Sequence, residues 1–156
     1  MHGFTWTEAM SVGVAALDAD HRCLVRIISL LDDVVPEDAE RVVGIVMETL
    51  VAYCRYHFAR EEQVLAACDF PEIAFHQSEH EEFCQVVECL RQRRGRSDAA
   101  SMAAEMGEYL RGWLLHHILI QDMAYKPFVT PMAGIEGVLS AVPFGDAAQR
   151  CEMQTA

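Results

Sequence analysis

Apolar residues recur along this chain at helical rather than alternating spacing, as in Leu24, Ile27, Ile28 and Leu31, and again in Val43, Val46, Met47, Leu50 and Val51. Three interruptions break the pattern. VVPEDAE (34–40), CDFPE (68–72) and RRGRSDA (94–100) each join Pro or Gly to acidic or hydroxyl residues suited to starting a helix. Four long helical segments are predicted, at roughly 18–34, 38–67, 71–93 and 98–125. Connections this short make consecutive helices antiparallel, so the expected fold is all-α, an up-down-up-down antiparallel four-helix bundle. The bundle would occupy residues 1–126, with an ordered arm over 1–17 that carries Trp6. Residues 127–156 hold three of the five prolines and read as an extended, loosely packed C-terminal tail, with room for a short helix within 134–141.

Composition narrows the class. A chain of 156 residues, 52% of them hydrophobic, suffices for one core and would be cramped as two domains. Twelve basic residues face 24 acidic ones, a formal charge of −12. Neither nucleic acid nor an anionic membrane is an expected partner, because both need clustered Lys and Arg. The one basic run, RQRRGR at 91–96, is short and reads as a solvated helix end. No apolar run is long enough to span a bilayer. The first thirty residues carry Glu8, Asp18 and Asp20 and no basic leader followed by an apolar block, so no secretory signal is expected. The six cysteines (23, 54, 68, 84, 89 and 151) lie mostly within helical patterns, at spacings unlike a secreted disulfide framework. Reduced thiols and a cytoplasmic location are the expectation.

The histidines carry the chemistry. Six of the seven fall inside predicted helices, and His2 reads as a terminal residue. His57 and Glu61 in YHFAREE, and His76 and His80 in FHQSEH, are spaced to share one helix face a turn apart. One such pair is ordinary on a helix surface or as a satisfied core histidine. Two on consecutive segments, followed by HHILIQD (116–122) on the next, are how helical bundles assemble a metal site in the core. In HHILIQD, Asp122 lies about 140° from His117 and about 120° from His116 on an α-helix, so spacing does not choose between the histidines. Their neighbours do. The face between His117 and Asp122 also carries Leu110, Leu114, Ile118 and Tyr125, whereas the face between His116 and Asp122 carries Ser101, Glu105, Glu108 and Lys126. His117 and Asp122 are the expected buried pair. His21, one turn before Leu24 and Val25, gains significance only in this company.

The stretches FTWTEAMSVGVAALDADH, YHFAREE, HQSEH and WLLHHILIQD resemble the hemerythrin family, specifically single-domain bacterial hemerythrins, over roughly residues 4–126. The resemblance implies two iron ions held by five histidines, one glutamate and one aspartate. The matching positions are His21, His57, Glu61, His76, His80, His117 and Asp122. It implies His76, His80 and His117 on one iron and His21 and His57 on the other. Glu61, Asp122 and an oxo or hydroxo group from solvent would bridge them. The iron with two histidines would keep an open position for dioxygen. Phe58, Trp113, Leu114 and Ile118 flank these residues and would line a dry oxygen pocket. Iron comes from the resemblance, since mixed imidazole and carboxylate donors also suit manganese or zinc.

The function this implies is reversible oxygen binding for storage, delivery or buffering, rather than catalysis. Ile118 fits that reading, being apolar where an enzyme would want an acid or base. The alternatives are a diiron enzyme acting on peroxide or nitric oxide, and an oxygen- or redox-sensing module that passes its state to a protein partner through the tail. Glu62, Glu79, Glu81 and Glu82 read as wet helix faces. Cys23, Cys54 and Cys84, close to ligands in the helical rows, read as small buried hydrophobes, with redox sensing as the less expected role.

Overall fold

A computed structural model describes residues 4–141, and among them every regular element is helical. Helix α1 spans Ala15–Ser29, starting three residues ahead of the expected position. The second segment is one continuous rod of three parts: α2 (Ala39–Ala52), a π-helical stretch (Tyr53–His57) and α3 (Phe58–Ala67). Helix α4 covers Ile73–Arg93. The fourth segment is again tripartite, with α5 (Ala99–His116), a second π stretch (His117–Asp122) and α6 (Met123–Val129).

The breakers act through identifiable bonds. At CDFPE, Asp69 takes the left-handed conformation (φ 51°). Phe70 N–H donates to Leu65 O and Asp69 N–H to Ala66 O, which satisfies the last carbonyls of α3, while the Phe70 ring packs beside Leu65. At the other end of the next loop, Gly95 supplies a φ of 78° and the Asp98 carboxylate accepts from Ser101 N–H at 2.8 Å to cap α5.

Two apolar cores lie one beyond the other along the helices. On α1 the buried order runs Leu17, His21, Leu24; on α4 it runs from partly buried Ile73 to buried His76, His80 and Phe83. Both pass from the second core, through polar side chains, to the first. On α3 the order is Phe58, Glu61, Val64, and on the fourth segment Leu114, His117, Asp122, Tyr125, which is the reverse passage. The polar cluster therefore sits in a layer between two apolar cores, with one side chain from the first segment and two from each of the other three. Helix α2 packs on α1, α4 and α5, and α3 on α4 and α6.

The arm before α1 is tied down. Buried Asp18 accepts from Val12 N–H at 2.8 Å and from Ser11 Oγ at 2.7 Å, and Lys126 Nζ donates to Ser11 O at 2.7 Å. The expectation of a loose tail from residue 127 is corrected for its described part. The fourth segment runs on to Val129, and a further helix, α7 (Ile135–Ala141), packs on α3 with Leu139 buried in the second core. Val12, Val64, Leu65 and Phe70 would otherwise leave apolar surface open there, and that surface is what draws the segment in. Residues 142–156 of the tail lie outside the described residues. The expectation of reduced thiols is corrected at Cys23, which is disulfide-bonded; Cys54, Cys68, Cys84 and Cys89 are free. Among the described residues no helix is long and apolar enough to cross a membrane.

Candidate metal centre

The polar layer is a cluster of potential ligands. One ligand atom from each of Glu61, His76, His80 and His117 lies within 4.8 Å of the others, and so do those of His21, His57 and Glu61. Glu61 belongs to both groups. Its Oε2 is 3.1 Å from His76 Nε2 and 3.0 Å from His80 Nε2, and its Oε1 is 3.9 Å from His21 Nε2. Asp122 also reaches both ways: Oδ1 is 3.2 Å from His117 Nε2 and 3.5 Å from His76 Nε2, while Oδ2 is 3.3 Å from His21 Nε2. All seven side chains are buried, Glu61 and Asp122 completely.

This set fits a cation. Neither oxygen of Asp122 accepts a hydrogen bond, although both are buried. His80 Nε2 faces His117 Nε2 at 3.2 Å, where two ring nitrogens share at most one proton. Leaving buried acceptors without partners costs about 1–3 kcal/mol each. A metal ion takes inward-facing imidazole nitrogens and carboxylate oxygens together, and this mixture suits iron, manganese or zinc.

The local chain geometry explains how His117 and Asp122 meet. The π turn between them closes at i→i+5, so residues five apart come to about one turn and share a face. The 140° divergence expected from α geometry does not occur. The other π stretch ends on His57, from which Glu61 follows one α turn later.

A second tier of groups aims the rings. Asp20 Oδ2 binds His57 Nδ1 at 2.8 Å and accepts from Arg60 Nη1 at 2.8 Å, all three residues being buried. Tyr53 Oη in turn donates to Asp20 O. Glu62 Oε1 binds His80 Nδ1 at 2.8 Å, while Gln77 Nε2 donates to Glu62 Oε2 at 3.3 Å. With Nδ1 engaged outward, Nε2 of both rings faces the cluster. Tyr125 Oη donates to Glu61 Oε1 at 2.6 Å. Sequence reasoning missed the parts played by Asp20, Arg60 and Glu62. Glu62 was expected on a wet face and is half-buried instead. A usable signal existed for Asp20, an acid immediately before a candidate ligand on a buried face.

Electrostatics follow from burial and neighbours. Burial presses on every charged form here. It holds His117 down at about 3 and, with the Glu61 charge, pushes Asp122 up to about 7. At His80 burial is outweighed by hydrogen bonds to Glu61 and Glu62, which raise it to about 9. At His57 burial is outweighed by Asp20, and at Glu61 by His76 and His80, so Glu61 stays well below the usual carboxylate range. The cluster thus keeps Glu61 anionic and Asp122 partly protonated at neutral pH, beside histidines of unlike basicity.

Aromatic rings cover the layer on the side of the first core. Phe58 stacks on His80 at 3.9 Å and Trp113 on His117 at 4.4 Å, with Phe83 against Trp113 at 4.1 Å. A small apolar cavity there is bordered by Phe58, Trp113 and Leu114. Ile118, the fourth expected lining residue, is buried in the same core but does not border it. His116 is exposed, one residue from buried His117.

Comparison with known proteins agrees with this geometry. A family described as the Hemerythrin HHE cation binding domain matches residues 12–129. The bacteriohemerythrin of Clostridium acetobutylicum is 27% identical over 127 residues, covering 78% of this chain and 98% of that protein. That of Stenotrophomonas maltophilia is 28% identical over 120 residues, 77% of each chain. That of Methylococcus capsulatus is 26% identical over 124 residues, 79% of this chain and 94% of the relative.

Proposed function

The chain belongs to the hemerythrin family, and from that premise we propose that it is a non-haem diiron protein that binds dioxygen reversibly. Its role would be to store, deliver or buffer oxygen. His76, His80 and His117 would hold one iron, His21 and His57 the other, with Glu61 and Asp122 shared between them. The observation that supports this most is that each of the two carboxylates approaches histidines of both groups. A carboxylate offers two oxygens and offsets the charge of two cations in a buried layer. The reading also takes the fold as a four-helix bundle of up-down-up-down topology, supported by the alternating order in which the four segments pass between the two cores.

An iron pair supplies reversible two-electron chemistry toward dioxygen. The chain supplies the conditions for it. Asp20 and Glu62 fix which nitrogen of His57 and His80 faces inward, and Tyr125 restrains one oxygen of Glu61. Phe58, Trp113 and Leu114, which border the small apolar cavity, with Ile118 buried in the same core, would exclude water from the face where a small apolar molecule would arrive. No free acid or base stands among these four, which favours holding oxygen over turning it over.

Elemental analysis of the protein purified from its native host tests the premise of the site. About two iron ions per chain are expected, as in helical di-iron carboxylate sites. Zinc or manganese in their place, or a single ion, would contradict it.

A further inference from the structure

Cys54 and Cys84 are brought together from distant parts of the sequence. Cys54 lies in the first π stretch and Cys84 in α4, and these two elements pack on one another. Both thiols are free, both are half-buried, and both pack on the core that contains Phe58 and Phe83. Their side chains share a hydrogen bond. The other free cysteines among the described residues are placed differently: Cys68 S–H donates to Leu65 O at 3.4 Å, and Cys89 is exposed.

We propose that Cys54 and Cys84 form an oxidisable dithiol, which hydrogen peroxide or a small organic peroxide converts to a disulfide between the second segment and α4. The thiolate of one of the two attacks one peroxide oxygen and the O–O bond breaks, leaving a sulfenic acid and releasing hydroxide, or alkoxide from an organic peroxide. The sulfur of the other then attacks the sulfenic sulfur, the S–S bond forms, and the sulfenic oxygen leaves as water. With hydrogen peroxide the balance is two thiols oxidised by two electrons, two protons given up, and one peroxide reduced to two waters. Half-burial admits a small peroxide and hinders a bulky one.

The location gives the bond a consequence. Cys54 precedes His57 by three residues and Cys84 follows His80 by four, so the disulfide would tie together the two helices on which those rings stand. The inference rests on the two thiols and not on the reading of the metal layer.

Peptide mapping of the whole chain tests it. The protein is reduced, freed of reductant, treated with hydrogen peroxide near stoichiometry, alkylated and digested without reduction. The expected dominant product is a peptide pair joined through Cys54 and Cys84, lighter by two hydrogens than the separate thiols. Cys54→Ser and Cys84→Ser should each lose the joined peptide pair and accumulate a sulfenic acid on the cysteine that remains, trapped by a cyclic 1,3-dione. Recovery of both residues as alkylated free thiols, or oxidation falling first on Cys89 or Cys68, would overturn the proposal. The wild-type map needs no variant to fold. It reads thiols alone, so its outcome is separable from that of the metal analysis.

Discussion

His117 Nε2 lies 3.2 Å from Asp122 Oδ1, five residues further along one continuous helix. On α geometry five residues advance about 500°, leaving the two side chains about 140° apart. The π-helical turn His117–Asp122 removes that divergence and puts both into the buried layer. Its neighbour His116 is turned out to solvent.

The two adjacent histidines should therefore respond differently to the same change. His117→Ala is expected to lose at least one metal ion per chain, because it removes a buried nitrogen from the group it shares with Glu61, His76 and His80. His116→Ala should keep the full metal content and change stability by no more than about 0.5 kcal/mol, as for surface substitutions. Elemental analysis and urea denaturation of both variants check this.

Asp20 holds the buried Arg60 guanidinium and the His57 ring together, each at 2.8 Å. Asp20→Asn removes the charge from that buried pair and should destabilise the protein by about 3–5 kcal/mol. It should also lower metal content, since His57 loses the group that fixes its outward nitrogen. Denaturant melts before and after chelation separate the two effects: a cost that survives chelation belongs to the ion pair.

Glu62 is a subtler case, half-buried and aimed at His80 Nδ1 from 2.8 Å. Glu62→Ala should leave the fold intact and weaken metal binding by about tenfold to a hundredfold, the usual effect of removing the partner of a ligating histidine. Competition with a coloured chelator measures it. An unchanged affinity would assign Glu62 to the solvated surface.

Metal loading should release protons. His80 is raised to about 9 in the metal-free protein, so at neutral pH it carries a proton that a cation must displace. Asp122, pushed up to about 7, contributes part of another. The affinity for metal should therefore rise with pH from about 6 and level off above about 9, where His80 is already neutral. Calorimetric titration in two buffers of different ionisation enthalpy counts the protons directly, and the count should fall as pH increases.

The segments and the polar layer were legible in the sequence for different reasons. Helical periodicity with three breakers located the four segments, and the i,i+4 spacing of His57 with Glu61 and of His76 with His80 announced shared faces. The choice of His117 over His116 came from the company each residue keeps around the helix. What could not be read was geometry off the α period. Both π stretches are invisible to a pattern analysis that assumes 3.6 residues per turn, so the approach of His117 to Asp122 was misjudged. The pairings of Asp20 with His57, Glu62 with His80 and Cys54 with Cys84 join different segments, and each depends on the rotation of one helix against another. The packing of α7 escaped for a related reason: the apolar surface that receives Leu139 is assembled from α3, the arm and the loop at Phe70, far apart in sequence.

Reversible oxygen binding at a two-iron centre can be followed in the absorption spectrum of the reduced, iron-loaded protein through a cycle of oxygenation and deoxygenation. The expected result is an oxygen-dependent band that develops with one dioxygen taken up per about two irons, persists under oxygen and disappears when oxygen is removed, over repeated cycles. A band that never forms, or one that bleaches within the first cycle while a product is released, would contradict it.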